Sequence, residues 1–199
     1  MDIVNLKSFA KVNIGLQILE KRPDGYHNIH TLFQELDFHD FITLEKRASG
    51  IEFLSNVDWL ENNSSNLCIK AWQTLVDAFG ISGVSIKLHK RIPAGSGLGG
   101  GSSNAATILK GLRQLYELDI SNNELEKLST FLGADVPFFI RGGLQLGESI
   151  GNVLTPVSEV IGGTYLLVVP EFYIDTKLAY ANSKIILDES RENINFLGF

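Results

Sequence analysis

Between residues 11 and 18 the chain alternates: Val12, Ile14, Leu16 and Ile18 are apolar, with Lys11, Asn13, Gly15 and Gln17 set between them. A two-residue period is that of a strand with one buried face, so Lys11 and Asn13 are expected to share the face opposite the core. Pro23-Asp24-Gly25 predicts a turn, because proline presets its dihedral and glycine accepts a positive φ. Further strands are expected over 31–36, 41–46 and 51–54. At Asn66, a candidate N-cap, the period becomes helical, with Cys68, Trp72, Leu75, Val76 and Phe79 on one stripe. Val84, Ile86 and Leu88 alternate again. A second helix is marked by Ala105, Ile108, Leu109, Leu112 and Leu115, with cap candidates Ser102, Ser103 and Asn104. Ser121 and Glu124 have the spacing of a capping box, opening a third helix expected to end at Gly133. Residues 165–169 read as a buried strand, and Asp175 as the cap of a last helix reaching Ile186. Strands first and mixed elements afterwards predict an α+β fold rather than a regularly alternating parallel sheet.

Composition narrows this picture. The 199 residues, 44% hydrophobic and 20% charged, are those of an ordinary globular chain with one large or two small domains. Seventeen basic against twenty-three acidic residues give a net charge of −6. A general nucleic-acid binder is therefore not expected, since affinity for a phosphate backbone comes from clustered Lys and Arg. A small phosphorylated ligand needs only a local donor site and stays open. Cys68 is the single cysteine, which excludes an internal disulfide and a zinc cage of thiolates; a small buried hydrophobe is expected there. The start, Met1-Asp2-Ile3-Val4-Asn5, lacks the basic and apolar regions of a signal peptide. The longest aliphatic cluster, at 166–169, is far short of the ~20 residues that span a bilayer. These features predict a cytoplasmic protein with no membrane partner.

The strongest chemical signal is Pro93-Ala94-Gly95-Ser96-Gly97-Leu98-Gly99-Gly100-Gly101-Ser102-Ser103-Asn104, with five glycines in seven positions from Gly95. Placed between a strand and a helix, it lets the backbone curl with several N–H groups inward, and the helix adds its unpaired donors and dipole. Lys87, Lys90 and Arg91 stand just upstream as local positive charge. The plain alternative is a flexible turn, but closely spaced glycines are entropically costly. Gly95-x-Gly97-x-x-Gly100 satisfies the dinucleotide fingerprint literally; Glu117 has nearly the required spacing, yet Tyr116–Glu124 reads as a polar turn into another helix rather than a second strand. No Walker A sequence and no protein-kinase H-R-D or D-F-G triplet is present. Gly147-Glu148-Ser149-Ile150-Gly151 matches a hydrolase elbow, which needs a histidine later in the chain, and the last histidine is His89. A phosphate loop outside these classes remains.

That loop resembles the central phosphate loop of the GHMP small-molecule kinases. Ala10-Lys11-Val12-Asn13, Arg22-Pro23-Asp24-Gly25-Tyr26-His27 and Leu132-Gly133-Ala134-Asp135-Val136-Pro137-Phe138-Phe139 narrow the likeness to the 4-diphosphocytidyl-2-C-methyl-D-erythritol kinase branch, in order from about Ser8 to Tyr180. The resemblance implies a GHMP-like two-domain α+β fold and ATP-dependent phosphorylation of the 2-hydroxyl of that small-molecule substrate. It implies Asp135 as catalytic base and Lys11 as its partner. For the nucleotide it implies Asn66 near the adenine, and Pro93, Gly95, Gly97, Leu98, Gly99, Gly100, Gly101, Ser102 and Ser103 around the triphosphate, with Mg2+ between its oxygens. Asn13, Tyr26, His27 and Tyr180 fall on substrate positions, Tyr180 on an aromatic that stacks against cytosine.

General chemistry supports these roles less sharply. A hydroxyl is a poor nucleophile and benefits from a carboxylate that takes its proton. By spacing alone, however, Asp135 reads equally as a helix N-cap, Lys11 as a solvated strand lysine and the two tyrosines as rim aromatics. Members of the family normally continue further, so residues 1–150 are expected to form a complete first domain and 151–199 the opening of a second, incomplete one. An apolar face left by absent strands invites self-association into a homo-oligomer. Another GHMP kinase, acting on homoserine, mevalonate or a sugar, and a nucleotide-binding module without turnover are the alternatives.

Overall fold

Two long strands organise the structure, a computed structural model that describes residues 2–158 and 162–169. β1 (Ile3–Lys21) and β2 (His27–Arg47) pair antiparallel around the Pro23-Asp24-Gly25 turn. The separate strands expected at 31–36 and 41–46 are one continuous element. β1 pairs along one edge of β2, while the other edge is shared by β4 (Gly83–His89) at one end and β5 (Leu144–Glu148) at the other. β3 (Ile51–Ser55) and β6 (Val153–Pro156) complete a six-stranded sheet. β3 and β4 run parallel, a pairing that requires a crossover, and α1 (Leu67–Phe79) supplies it. α2 (Gly100–Leu115), α3 (Asn122–Ser129) and α4 (Val136–Arg141) follow. The α+β expectation is met.

α1 begins where Asn66 accepts a hydrogen bond from the Cys68 N–H, and it buries Cys68, Ala71 and Leu75. α2 is enclosed rather than amphipathic, since every residue from 103 to 109 is buried. Its start differs from the expectation. The helix opens at Gly100 after a left-handed Gly99, so Ser102, Ser103 and Asn104 lie inside the first turns and cap nothing. The capping box at Ser121 and Glu124 is present, but α3 stops at Ser129, before Gly133, because Leu132 and Val136 close turns over 129–136 through bonds to Ser129 and Gly133. In α4 Phe138 and Phe139 are buried, Phe138 against Phe33 of β2 with ring centroids 5.2 Å apart.

Two other expectations fail. Lys11 is not on a solvated face: it is 6% exposed, whereas Leu16 on the apolar face is 42% exposed. The helices cover the polar side of β1 at Lys11 and leave its apolar side partly open further along. Residues 165–169 form no strand and are mostly exposed, because no described strand pairs with them; Leu167 alone packs, against Ala10, Leu36, Ile92 and Leu98. The helix expected from Asp175 to Ile186 lies outside the described residues. No helix among the described residues is long and apolar enough to cross a membrane.

Candidate active site

β4 ends at His89, the chain crosses to the start of α2, and the glycine segment makes that crossing on the wall of a cleft of about 1220 Å³. Gly95, Gly97 and Gly99 all have positive φ. Gly99 is needed twice over: its φ is 71°, and a Cβ there would stand 2.7 Å from Phe139 Cζ and 3.2 Å from Lys11 Cγ. The first-turn N–H groups of Gly100, Gly101 and Ser102 have no intrahelical acceptor, whereas the Ser103 N–H bonds the Gly99 carbonyl at 2.8 Å. The positive end of α2 therefore opens on the cleft.

Lys11 lies across from that helix start. Its own N–H donates to the Leu98 carbonyl at 3.0 Å, stitching β1 to the loop. Its ammonium donates to Asn13 Oδ1 at 2.6 Å and lies 3.6 Å from Asp135 Oδ2 and 5.4 Å from the Phe33 ring centre. Asn13 in turn donates to Thr31 Oγ1. Asp135 occupies the N-cap position of α4 but makes no capping bond, so its carboxylate, about one-third exposed, is left facing Lys11 and the cleft. A fixed carboxylate beside a buried ammonium, opposite a helix N-terminus, can take a proton from a group held next to a bound phosphate.

Nearly all the residues singled out in the sequence line this one cleft. Asn13, Tyr26, His27, Asn66, Lys11, Asp135, Pro93 and residues 95–102 all line it. Ser103 is behind the wall, its buried hydroxyl hydrogen-bonded to Ser8 Oγ. Tyr180 lies outside the described residues. Of the three upstream basic residues only Lys90 reaches the cleft wall; Lys87 is exposed, and Arg91 stacks over Phe38 and Phe41. Tyr26 is 59% exposed at the tip of the β1–β2 turn. That turn is held by Arg22, which donates to Asp24, Asn28 and Ser149. The Arg22 guanidinium keeps the Asp24 carboxyl below the usual carboxylate range.

Two contributors escaped the sequence reading. Trp59 also lines the cleft, and a lone tryptophan in the polar run 55–65 was the available signal. Asp40 is fully buried under the loop; its partners are about fifty or more residues away in sequence, and no local pattern marks it.

Comparison with known proteins gives these features relatives. The GHMP kinases N terminal domain family matches residues 66–143. A 4-diphosphocytidyl-2-C-methyl-D-erythritol kinase of Acetivibrio thermocellus is 38% identical over 99% of this chain and 70% of its own length. One of that name from Clostridium botulinum is 41% identical over 90% of this chain and 64% of its own. Among solved structures, a 4-(cytidine 5'-diphospho)-2C-methyl-D-erythritol kinase superposes with a TM-score of 0.68 at 39% identity, over 77% of this chain and 55% of that one. The chain thus spans 64–70% of the length of these curated relatives.

Proposed function

Because the chain belongs to the 4-diphosphocytidyl-2-C-methyl-D-erythritol kinase family of the GHMP kinases, we propose that it is an ATP-dependent kinase. It transfers the γ-phosphoryl group to the 2-hydroxyl of 4-diphosphocytidyl-2-C-methyl-D-erythritol, in the non-mevalonate route to isoprenoid precursors. The observation that carries this reading is the Lys11–Asp135 pair, 3.6 Å apart in the same cleft as the glycine loop and the start of α2.

In this reading the amides of residues 95–102 and the α2 dipole hold the triphosphate, with Asn66 beside the adenine. Asn13, Tyr26 and His27 bind the acceptor, as does Tyr180. Asp135 takes the proton of the 2-hydroxyl as its oxygen bonds to the γ-phosphorus and the bond from that phosphorus to the β–γ bridging oxygen breaks, releasing ADP. Lys11 orients the carboxylate and offsets charge on the phosphoryl oxygens. The donor set fits a magnesium ion carried by the nucleotide phosphates, with the Ser102 hydroxyl, which lines the same cleft, as a side-chain oxygen that would hold it. When bound it neutralises phosphate charge.

A coupled ADP-release assay with Mg2+ and ATP tests this. Turnover should depend on the cytidylyl acceptor and be absent with homoserine, mevalonate or hexoses. Turnover with one of those acceptors and none with the cytidylyl compound would overturn the substrate assignment.

A further inference from the structure

The glycine loop makes few bonds of its own, and its two ends meet at one buried carboxylate. Asp40 of β2 is fully buried. Its Oδ1 accepts the main-chain N–H groups of Arg91 and Ile92, at 2.6 and 2.8 Å, immediately before the loop. Its Oδ2 accepts from the Asn104 side-chain amide at 2.8 Å, in α2 immediately after it. The Lys90 ammonium closes the set, donating to Asp40 Oδ2 at 2.5 Å and to Asn104 Oδ1 at 3.0 Å. Ser8 secures Asn104 from β1 by accepting at 2.9 Å. A Cβ on Gly100 would lie 3.1 Å from Lys90 Nζ, so the cation sits directly behind the first turn of α2.

We propose that Asp40 is the positioning residue of the phosphate loop: one carboxylate clamps the strand that enters the loop and the helix that leaves it, and so sets the direction of the amides between them. The nucleotide half of this inference rests on the kinase reading above; the clamp itself does not. A buried carboxylate with four donors forms strong, directional bonds, and the chain it closes, from Ile92 to Asn104, is glycine-rich and has little stiffness of its own. Asp40 also occupies the Lys90 charge, so anion attraction in the free loop falls to the amides rather than to this lysine. In Asp40→Asn one oxygen still accepts from Arg91 and Ile92, while the new amide meets the donors of Lys90 and Asn104, so the helix-side half of the clamp fails.

The test combines hydrogen exchange with binding in the 199-residue chain. Asp40→Asn should speed amide exchange in a peptide covering 93–101 by about tenfold, with β1–β2 and α1 peptides unchanged. It should weaken Mg2+–ATP binding, measured by calorimetry, by about 10–100-fold, without changing affinity for the cytidylyl acceptor. Asn104→Ala, which removes the helix-side bond to Asp40 together with the Ser8 and Lys90 bonds of Asn104 and keeps the Arg91 and Ile92 bonds, should give a smaller change of the same kind, and it decides the matter if Asp40→Asn does not fold. Loop exchange like that of wild type, equal acceleration in loop and sheet, or faster loop exchange with undiminished Mg2+–ATP affinity would each overturn the proposal. A wild-type chain that does not bind Mg2+–ATP sinks the kinase reading and leaves the clamp to be judged by loop exchange alone.

Discussion

At the glycine loop the groups that face the cleft are main-chain amides, backed by a buried lattice of Asp40, Lys90, Asn104 and Ser8. At the β1–β2 turn they are side chains, Tyr26 and His27, on a turn held by the part-buried bonds of Arg22 to Asn28 and Ser149. The first region needs glycine for space and conformation and a rigid support for direction. The second presents aromatic and polar groups whose identity decides what they touch. Damage to the first should therefore reach the nucleotide and the stability together, while damage to the second should reach only the acceptor. Lys11 and Asp135 line the same cleft as both and answer to both.

The sharpest way to separate the regions is to remove the chemistry while leaving each intact. Asp135→Asn should lower the single-turnover rate by roughly 10²–10⁴-fold with Mg2+–ATP affinity nearly unchanged; an unaltered rate would remove Asp135 from the proton-accepting role. Gly99→Val attacks the loop side. Forcing a β-branched residue to positive φ against Phe139 should cost roughly 1–3 kcal/mol of stability in chemical denaturation and about tenfold or more in Mg2+–ATP affinity. Wild-type affinity in that variant would show that the loop does not need its curvature. Arg22→Ala attacks the other side. Exposed ion pairs contribute little, so KM for the cytidylyl acceptor should rise by only about 2–5-fold, with kcat and KM for ATP unmoved. A change in the ATP term would erase the distinction between the two regions.

The legible parts of the sequence are those whose partners are close in the chain. Asn66 and Ser121 cap as their spacing indicates because a cap is settled within three residues. The alternation around Lys11 correctly put Lys11 and Asn13 on one side of β1. It could not tell which side the helices would cover, since Asp135 and Phe139 arrive from more than a hundred residues away. Ser102, Ser103 and Asn104 looked like caps because small polar residues before an apolar helix usually are. Here a left-handed Gly99 opens the helix first, and Ser103 and Asn104 turn inward to bond Ser8 and Asp40. Asp135 is the converse case: it holds a cap position without capping, which leaves its carboxylate available to the cleft.

An effect outside this comparison concerns Cys68, set in the cleft wall beside Asn66. Burial pushes its thiol from 9.0 up to about 12, so between these values the folded chain keeps a proton that the unfolded chain releases. Stability should fall with rising pH across that window, by at most about 1.4 kcal/mol per pH unit for this one group. Cys68→Ala should flatten the alkaline limb of the stability profile relative to wild type. Identical limbs in the two proteins would show that the thiol is not so shielded.

The most direct measurement is an amide NMR titration of the 199-residue chain with a non-hydrolysable ATP analogue and Mg2+. Binding as described here moves the resonances of Gly95, Gly97, Gly99, Gly100 and Gly101 first and most, with Lys11 and Asp135 following. Saturable shifts confined to α3 or β6, with those glycines unmoved, would contradict it.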